Sequence, residues 1–375
     1  MPMRSTRRRF LGQSVQAMAI LTCAGREASR VRAAAAPTVV EMTEKAVAFL
    51  RSRQDSKGGW STEREPGVTA LVLTALLRSK RVTSSDPAIV KGLAYLEHII
   101  EAQGGLSGAP HPNYTTSIAL MAFNEANIKG RYDGLIRDGR EFLKTMQWDE
   151  GEGKGRDNAF YGGAGYGGKN SRPDLSNTAF FIEALRDTGL PADDPSLKKA
   201  LVFVSRCQNL KGEFNDQSWA GKVNDGGFVY TAANGGESIA GKTEDGGLRS
   251  YASMTYAGLK SMIYAGLTAD DARVKAAATY IAKHYTLDEN PGLGQMGLYY
   301  YYQTFAKALA MLGKPTFTDA SGQVHDWRAD LVAALAKRQN RDGSWVNPAD
   351  RFMEGDPNLV TAYALLALAY ARPKA

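Results

Sequence analysis

The stretch Ser171-Arg172-Pro173-Asp174-Leu175-Ser176-Asn177-Thr178-Ala179-Phe180-Phe181-Ile182-Glu183-Ala184-Leu185 decides the fold. Pro173 fixes the backbone just ahead of a helix, and Asp174 or Ser176 is placed to accept from the free N–H groups of its first turn. Apolar residues then fall on almost every side, at Ala179, Phe180, Phe181, Ile182, Ala184 and Leu185. A helix without a polar face is buried all round. Gly189-Leu190-Pro191 ends it. Such a helix needs others wrapped around it, and the rest of the chain supplies them.

Two kinds of helical segment alternate six times. Amphipathic helices are predicted over residues 44–53, 87–102, 132–146, 196–206, 272–284 and 326–338. More apolar ones are predicted over 67–77, 114–126, 175–187, 251–265, 298–312 and 358–370. Val47 and Leu50, like Val202 and Val204, sit among charges, whereas Val68-Thr69-Ala70-Leu71-Val72-Leu73 has no polar face. The pattern predicts an all-α chain, an α/α toroid of six outer and six inner helices around a central cavity. An open solenoid of helical hairpins is the competing arrangement. The composition, 43% hydrophobic and 23% charged over 375 residues, is that of a globular protein, with residues 37–375 as one toroid domain.

The turns carry a sharper signal. Gln54 to Trp60, Gln208 to Phe214 and Gln339 to Trp345 each read Gln-x3-Gly-x-aromatic. Gln103-Gly104-Gly105-Leu106 is a shortened copy, Gln147-Trp148 with Glu150-Gly151-Glu152-Gly153 a degenerate one, and Pro291-Gly292-Leu293-Gly294 takes the same place in the fifth unit. Glycine lets the chain reverse, the aromatic seals the gap beneath, and glutamine can satisfy backbone groups left unpaired at helix ends. These residues read as staples.

The turns resemble the QW repeats of squalene–hopene and oxidosqualene cyclases, and the related repeats of protein prenyltransferase β subunits, over roughly residues 43–372. The resemblance implies an α/α toroid holding an isoprenoid in its central cavity. Cyclases of this class carry Asp-x-Asp-Asp at the start of an inner helix. The resemblance sets Asp174 at the first acid, Ser176 at the proton donor and Asn177 at the last acid. A serine hydroxyl is far too weak an acid to protonate an alkene, so the standard initiation is not expected here. Prenyltransferases hold zinc with Asp, Cys and His. Here Cys207 ends an outer helix, and His98, His111, His284 and His325 offer no ligand pair on one helix face, so no metal or cofactor is expected. Complement-type thioester toroids need Cys-Gly-Glu-Gln, and Gly294-Gln295 has no cysteine.

Two connections, 147–173 and 209–250, are much longer than turns and interleave glycine with aromatics, as suits a lid over a ligand. Tyr299-Tyr300-Tyr301-Tyr302 covers a full helical turn, so one or two rings must face the cavity. Asp174 and Asp356 each open an inner helix beside proline and are first of all N-caps. They are also the candidate catalytic carboxylates. Arg172, Ser176, Asn177, Phe181, Tyr251, Tyr299, Tyr300 and Asn358 are the candidate ligand-binding set. The leading expectation is an apolar or isoprenoid-like small molecule as partner. The alternatives are a carbohydrate-active toroid, hydrolase or lyase, using Asp174, Asp356 and Asp245, and a protein-binding scaffold.

The formal charge of +7 is concentrated at one end: seven arginines against the single acid Glu27 in residues 1–36 account for six of it. That argues against nucleic acid as partner. Arg7-Arg8-Arg9-Phe10-Leu11, the short apolar run from Val15 to Ala24 and Ala33-Ala34-Ala35 form a tripartite export signal. Its core resembles the twin-arginine signals of bacteria, which implies a protein folded in the cytoplasm and acting in the periplasm. The run is too short to cross a bilayer, which leaves membrane contact open without a spanning segment. Removal of Cys23 with the signal leaves Cys207 alone, so the fold must hold by its core.

Overall fold

Capping residues set where the helices begin. The computed structural model describes residues 37–102, 111–167 and 171–372. The export signal and the Gln103-Gly104-Gly105-Leu106 turn lie outside them. Thr38 Oγ1 accepts from the Glu41 N–H at 3.2 Å, and Glu41 accepts back from the Thr38 N–H at 2.8 Å. This capping box starts the first outer helix, α1 (Val39–Arg53), ahead of the expected residue 44. There follow α2 (Pro66–Arg78), α3 (Pro87–Ala102), α4 (Pro112–Glu125), α5 (Asp133–Lys144), α6 (Leu175–Asp187), α7 (Pro195–Arg206), a short α8 (Ala220–Val223), α9 (Ala252–Tyr264), α10 (Ala272–Lys283), α11 (Leu298–Met311), α12 (Trp327–Arg338) and α13 (Pro357–Ala371). The strands β1 (Phe317–Thr318) and β2 (Val324–His325) form a small antiparallel hairpin.

The inner helices make the hoop. Helices α2, α4, α6, α9, α11 and α13 touch in that order, and α13 returns to α2. The outer helices pack over them, and every α2 residue from Pro66 to Leu77 is buried. Two side chains clasp the ends of the chain together. Gln339 Nε2 donates to the Met42 carbonyl at 3.0 Å, and Asn358 Nδ2 to the Trp60 carbonyl at 3.0 Å. The ring is closed; an open superhelix is excluded.

The four turn glutamines among the described residues each make the same kind of pair of bonds. Gln54 Nε2 donates to Gly58 O (2.9 Å) and to Ala88 O at the start of the next outer helix (2.8 Å). Gln339 does the same to Gly343 and Met42. Gln147 bonds Gly162 (2.8 Å) and Ser196 (2.9 Å), and Gln208 bonds Gly226 and Arg273 (2.9 Å each). These glutamines therefore tie their turns to the starts of the outer helices α3, α7, α10 and α1. Two residues beyond each glycine a backbone N–H donates to an inner-helix threonine: Trp60 to Thr69, Ala164 to Thr178, Phe228 to Thr255, Trp345 to Thr361, all at 3.0–3.1 Å.

This corrects one expected turn. The glycine and aromatic that complete the Gln208 turn are Gly226 and the fully buried Phe228, not Gly212 and Phe214. Phe214 is 42% exposed and stacks on the Arg273 guanidinium, 3.8 Å from its ring. The reason is steric. Gly226, at φ +80°, lies so near the Ala276 carbonyl that a Cβ would meet it at 2.4 Å, whereas Gly212 has open space around it. Residues 148–161 and 209–225 are thus insertions inside a single turn.

At the C-terminal ends of the inner helices lies a buried ionic floor to which all six contribute. Arg78 of α2 binds Glu125 of α4 (2.8 Å) and Asp187 of α6 (2.6 Å), and donates to the Tyr370 hydroxyl of α13 (2.7 Å). Glu183 of α6 is paired with Lys260 of α9 (2.6 Å) and with Lys307 of α11. Burial alone would raise the Glu183 pKa, but Lys260, Lys307 and Arg78 together hold it well below the usual carboxylate range. Three cations face three anions, so no uncompensated charge remains.

Candidate functional site

Above the floor, at the N-terminal ends of the inner helices, the ring encloses a cavity of about 410 Å³. Its wall is an aromatic belt. Tyr114 meets Phe180 edge-on (ring centroids 5.4 Å), Phe180 meets Tyr300 (6.3 Å), and Tyr300 meets Tyr363 edge-on (5.9 Å). The Tyr363 and Tyr114 hydroxyls lie close enough to couple electrostatically, which closes the circuit. Helices α4, α6, α11 and α13 each give one ring. Gly67 makes room for the belt, since a Cβ there would lie 2.8 Å from the Tyr114 ring. Burial holds the Tyr114, Tyr300 and Tyr363 hydroxyls neutral by pushing their pKa values up.

The mouth is built from loops. His111 and Tyr166 face one another across 5.0 Å, and Tyr166 is half exposed. Phe352 and Met353 also line the cavity, and they are two successive left-handed residues, φ +68° and +62°. A non-glycine residue in that region carries a cost of about 1–2 kcal/mol. Two carboxylates line the cavity, Glu65 and Glu354. Glu354 is fully buried and accepts from the Tyr299 and Tyr300 N–H groups at 3.0 and 2.8 Å and from Asn347 Nδ2 at 2.6 Å. It thereby caps α11, whose first residues follow Gly297.

Asp174 lies just behind the wall. Its carboxylate caps α6, taking the Asn177 N–H and Asn177 Nδ2, each at 2.8 Å. Burial pushes its pKa up to about 6, against the lowering pull of the Asn177 bonds, the Tyr230 hydroxyl and the Arg172 charge. Tyr230 lines the cavity, so it is the link between this carboxyl and the interior.

The predicted site residues divide by position. Ser176, Tyr251 and Tyr300 line the cavity, and Ser176 Oγ lies 3.1 Å from the Tyr300 hydroxyl. Asn177 backs them through Asp174. Arg172 sits outside, paired with Glu237 at 2.6 Å and 5.8 Å from the Tyr230 ring centroid. Phe181 is buried away from the cavity, and Phe180 takes the wall position. Tyr299 packs edge-on against Tyr302 (5.6 Å), away from the lining. Asn358 is spent on the ring clasp. Asp356 accepts from the Asn358 N–H at 2.8 Å and does not line the cavity. Asp174 and Asp356 are therefore not brought together on one wall, because each carboxylate turns back to its own helix. Asp245 forms a surface turn with Gly247. Among the described residues no group of three His, Cys, Asp or Glu side chains is placed to hold a metal ion, and no helix is long and apolar enough to cross a membrane.

No protein-family profile matches the chain. Over 156 residues, 40% of the chain, it is 28% identical to a probable squalene–hopene cyclase of Sinorhizobium fredii. A squalene–hopene cyclase of Bradyrhizobium diazoefficiens is likewise 28% identical over 155 residues. The match spans 23% of the length of each relative. The type II terpene cyclase MstE from Scytonema superposes with a TM-score of 0.53 at 14% identity, over 89% of this chain and 98% of that one. The chain is terpene cyclase-like in fold. A variant of MstE bound to its product, merosterolic acid A, superposes at 0.51 with 16% identity, over 89% of this chain and 96% of that one. A possible member of the GH105 family from Salmonella enterica serovar Paratyphi A reaches 0.53 at 10% identity, over 89% of this chain and 94% of that one. At these identities the likeness is one of fold, the α/α toroid. Within this terpene cyclase-like ring the residues that sequence reasoning missed are Glu65, Tyr114, Phe180, Tyr230, Glu354 and Tyr363.

Proposed function

We propose that this terpene cyclase-like toroid binds an apolar, isoprenoid-like small molecule in the cavity above the ionic floor. One observation carries the reading: the closed belt of Tyr114, Phe180, Tyr300 and Tyr363 around an enclosed space. Apolar surface withdrawn from water there contributes about 25 cal/mol per Å². Ring faces held neutral also suit a ligand on which positive charge develops. Ser176, at the position of the family's proton donor, shares a hydrogen bond with Tyr300 and has no acidic proton to give. The acid–base group of the site is Asp174, acting on the cavity through Tyr230. The squalene–hopene cyclase relatives and MstE support the ligand class.

A sugar-active reading draws on the GH105-like neighbour and on Glu65 and Glu354. Glycoside chemistry uses a pair of available carboxyls, and Glu354 is engaged by three N–H donors, so the apolar reading is the better supported. Organic extraction of the purified protein followed by mass spectrometry tests it: an isoprenoid is expected. A co-purifying saccharide, from protein that also takes up no added isoprenoid alcohol, contradicts the reading.

With this goes export of the protein by residues 1–36 to the periplasm. Fractionation of cells carrying Arg7→Lys with Arg8→Lys should find the protein retained in the cytoplasm.

A further inference from the structure

We infer that the cavity selects its ligand by charge: the isoprenoid it takes ends in a neutral, hydroxyl-type group and carries no diphosphate or carboxylate. This rests on the isoprenoid reading above and narrows it. Among the described residues no lysine or arginine lines the cavity, and the acidic side chains that do are Glu65 and Glu354. Asp174 adds a third carboxyl just behind the wall, beside Tyr230. A space lined by charges of one sign, with apolar walls, concentrates their field on whatever enters. An anionic headgroup there would meet like charge and find no partner for its own.

Positive potential near the wall is answered within the chain. Arg172 approaches the Tyr230 ring to 5.8 Å but is bonded to Glu237 at 2.6 Å. Lys260 stands 5.7 Å from the centre of the Phe180 ring and is bonded to Glu183 at 2.6 Å. The inner-helix N-termini carry the positive ends of the helix dipoles and would otherwise suit a phosphate. Asp174 caps α6, Glu354 caps α11 and Asp356 caps α13. In α9 the Ser253 N–H donates to Asn290 Oδ1 at 3.0 Å, and in α4 the Asn113 N–H donates to the Tyr166 carbonyl at 3.1 Å. Glu65 itself stands at the head of α2. What the cavity offers a polar end is instead neutral: Ser176 Oγ and the Tyr300 hydroxyl, 3.1 Å apart, together with Tyr230, Tyr251 and Ser253. Hydroxyls both give and accept hydrogen bonds, which matches an alcohol.

The probes are farnesol, farnesoic acid and farnesyl diphosphate, which share one chain and differ in charge. Because His111 also lines the cavity, each is titrated against the full folded chain at pH 8, above the range in which free imidazole carries charge. No divalent metal is added, and binding is read by native mass spectrometry with thermal shift. Farnesol should bind about a hundredfold more tightly than either anion, a scale set by like-charge repulsion. A preference below about tenfold, or either anion bound more tightly, overturns the charge assignment while leaving the isoprenoid reading intact. Failure of all three probes to bind a protein that melts cooperatively sinks the isoprenoid reading itself, and the charge assignment with it. Glu65→Gln keeps the shape of the side chain and removes its charge. In that variant the gap between farnesol and farnesyl diphosphate should narrow by about tenfold. An unmoved gap counts against the lining carboxylates as the selecting feature.

Discussion

Phe180 and Lys260 mark the plane where an apolar cavity ends and a buried ionic network begins, the ammonium lying 5.7 Å from the centre of the ring. The phenyl group separates the two environments. Phe180→Ala should cost about 3–5 kcal/mol, the usual range for a buried phenylalanine, because the space cannot collapse without moving the belt. Chemical denaturation reads this directly. A loss below ~1 kcal/mol would mean the ring closes nothing.

Glu183 is the carboxylate on which Lys260 and Lys307 converge. Glu183→Gln leaves both cations without their central partner and should lower stability by about 3–5 kcal/mol. The pH dependence has a definite sign. The folded pKa is depressed below the ordinary 4.5, so the contribution is present above that value and is lost as pH falls toward the folded pKa. Acid titration of stability should therefore fall more steeply below pH 4.5 in the native protein than in the variant.

Asp174 behaves in the opposite sense. Its pKa rises from 3.8 in the unfolded chain to about 6 in the fold, so the folded state binds the extra proton and stability falls as pH climbs through that window. For this wholly buried group the difference amounts to about 3 kcal/mol. Asn serves as an N-cap as well as Asp does. Asp174→Asn should thus keep the α6 cap while flattening the stability profile between about pH 4 and 6. An unchanged slope would show that the carboxyl is not buried as described.

The two candidate partners of Gln208 separate cleanly by mutation. Phe228→Ala empties a fully buried site beneath the turn and should cost about 3–5 kcal/mol. Phe214→Ala touches an exposed ring stacked on Arg273 and should cost less than about 1 kcal/mol. Equal losses would restore Gly212 and Phe214 as the sealing pair.

Much of the ring was legible because its inner helices lack a polar face, a signal that alternation with amphipathic helices amplifies six times. The cavity wall was partly legible, and one slip is instructive. Ser176 faces the cavity, so the residue sharing its face is four further on, Phe180; Phe181, five on, is rotated away. Tyr363 stands four residues after the lining Leu359 in the same way. Glu354 was not readable as a cavity residue, because it caps a helix fifty-odd positions earlier in the chain and no local pattern announces that. The ionic floor was equally hidden. Arg78, Glu125, Asp187 and Lys307 sit near helix C-termini, where charges ordinarily face water; only closure of the ring turns them inward. Gly212 misled because spacing carries no information on whether a Cβ would clash.

The central claim is that this enclosed, aromatic-walled space is where an isoprenoid-like molecule goes. Ser176→Phe fills it from the lining while leaving the floor untouched, so the measurement is the equilibrium affinity of farnesol for the native protein and for this variant, with melting temperature confirming that both are folded. The account predicts micromolar-or-better binding that the filled variant loses. Equal affinity in the two proteins would contradict it.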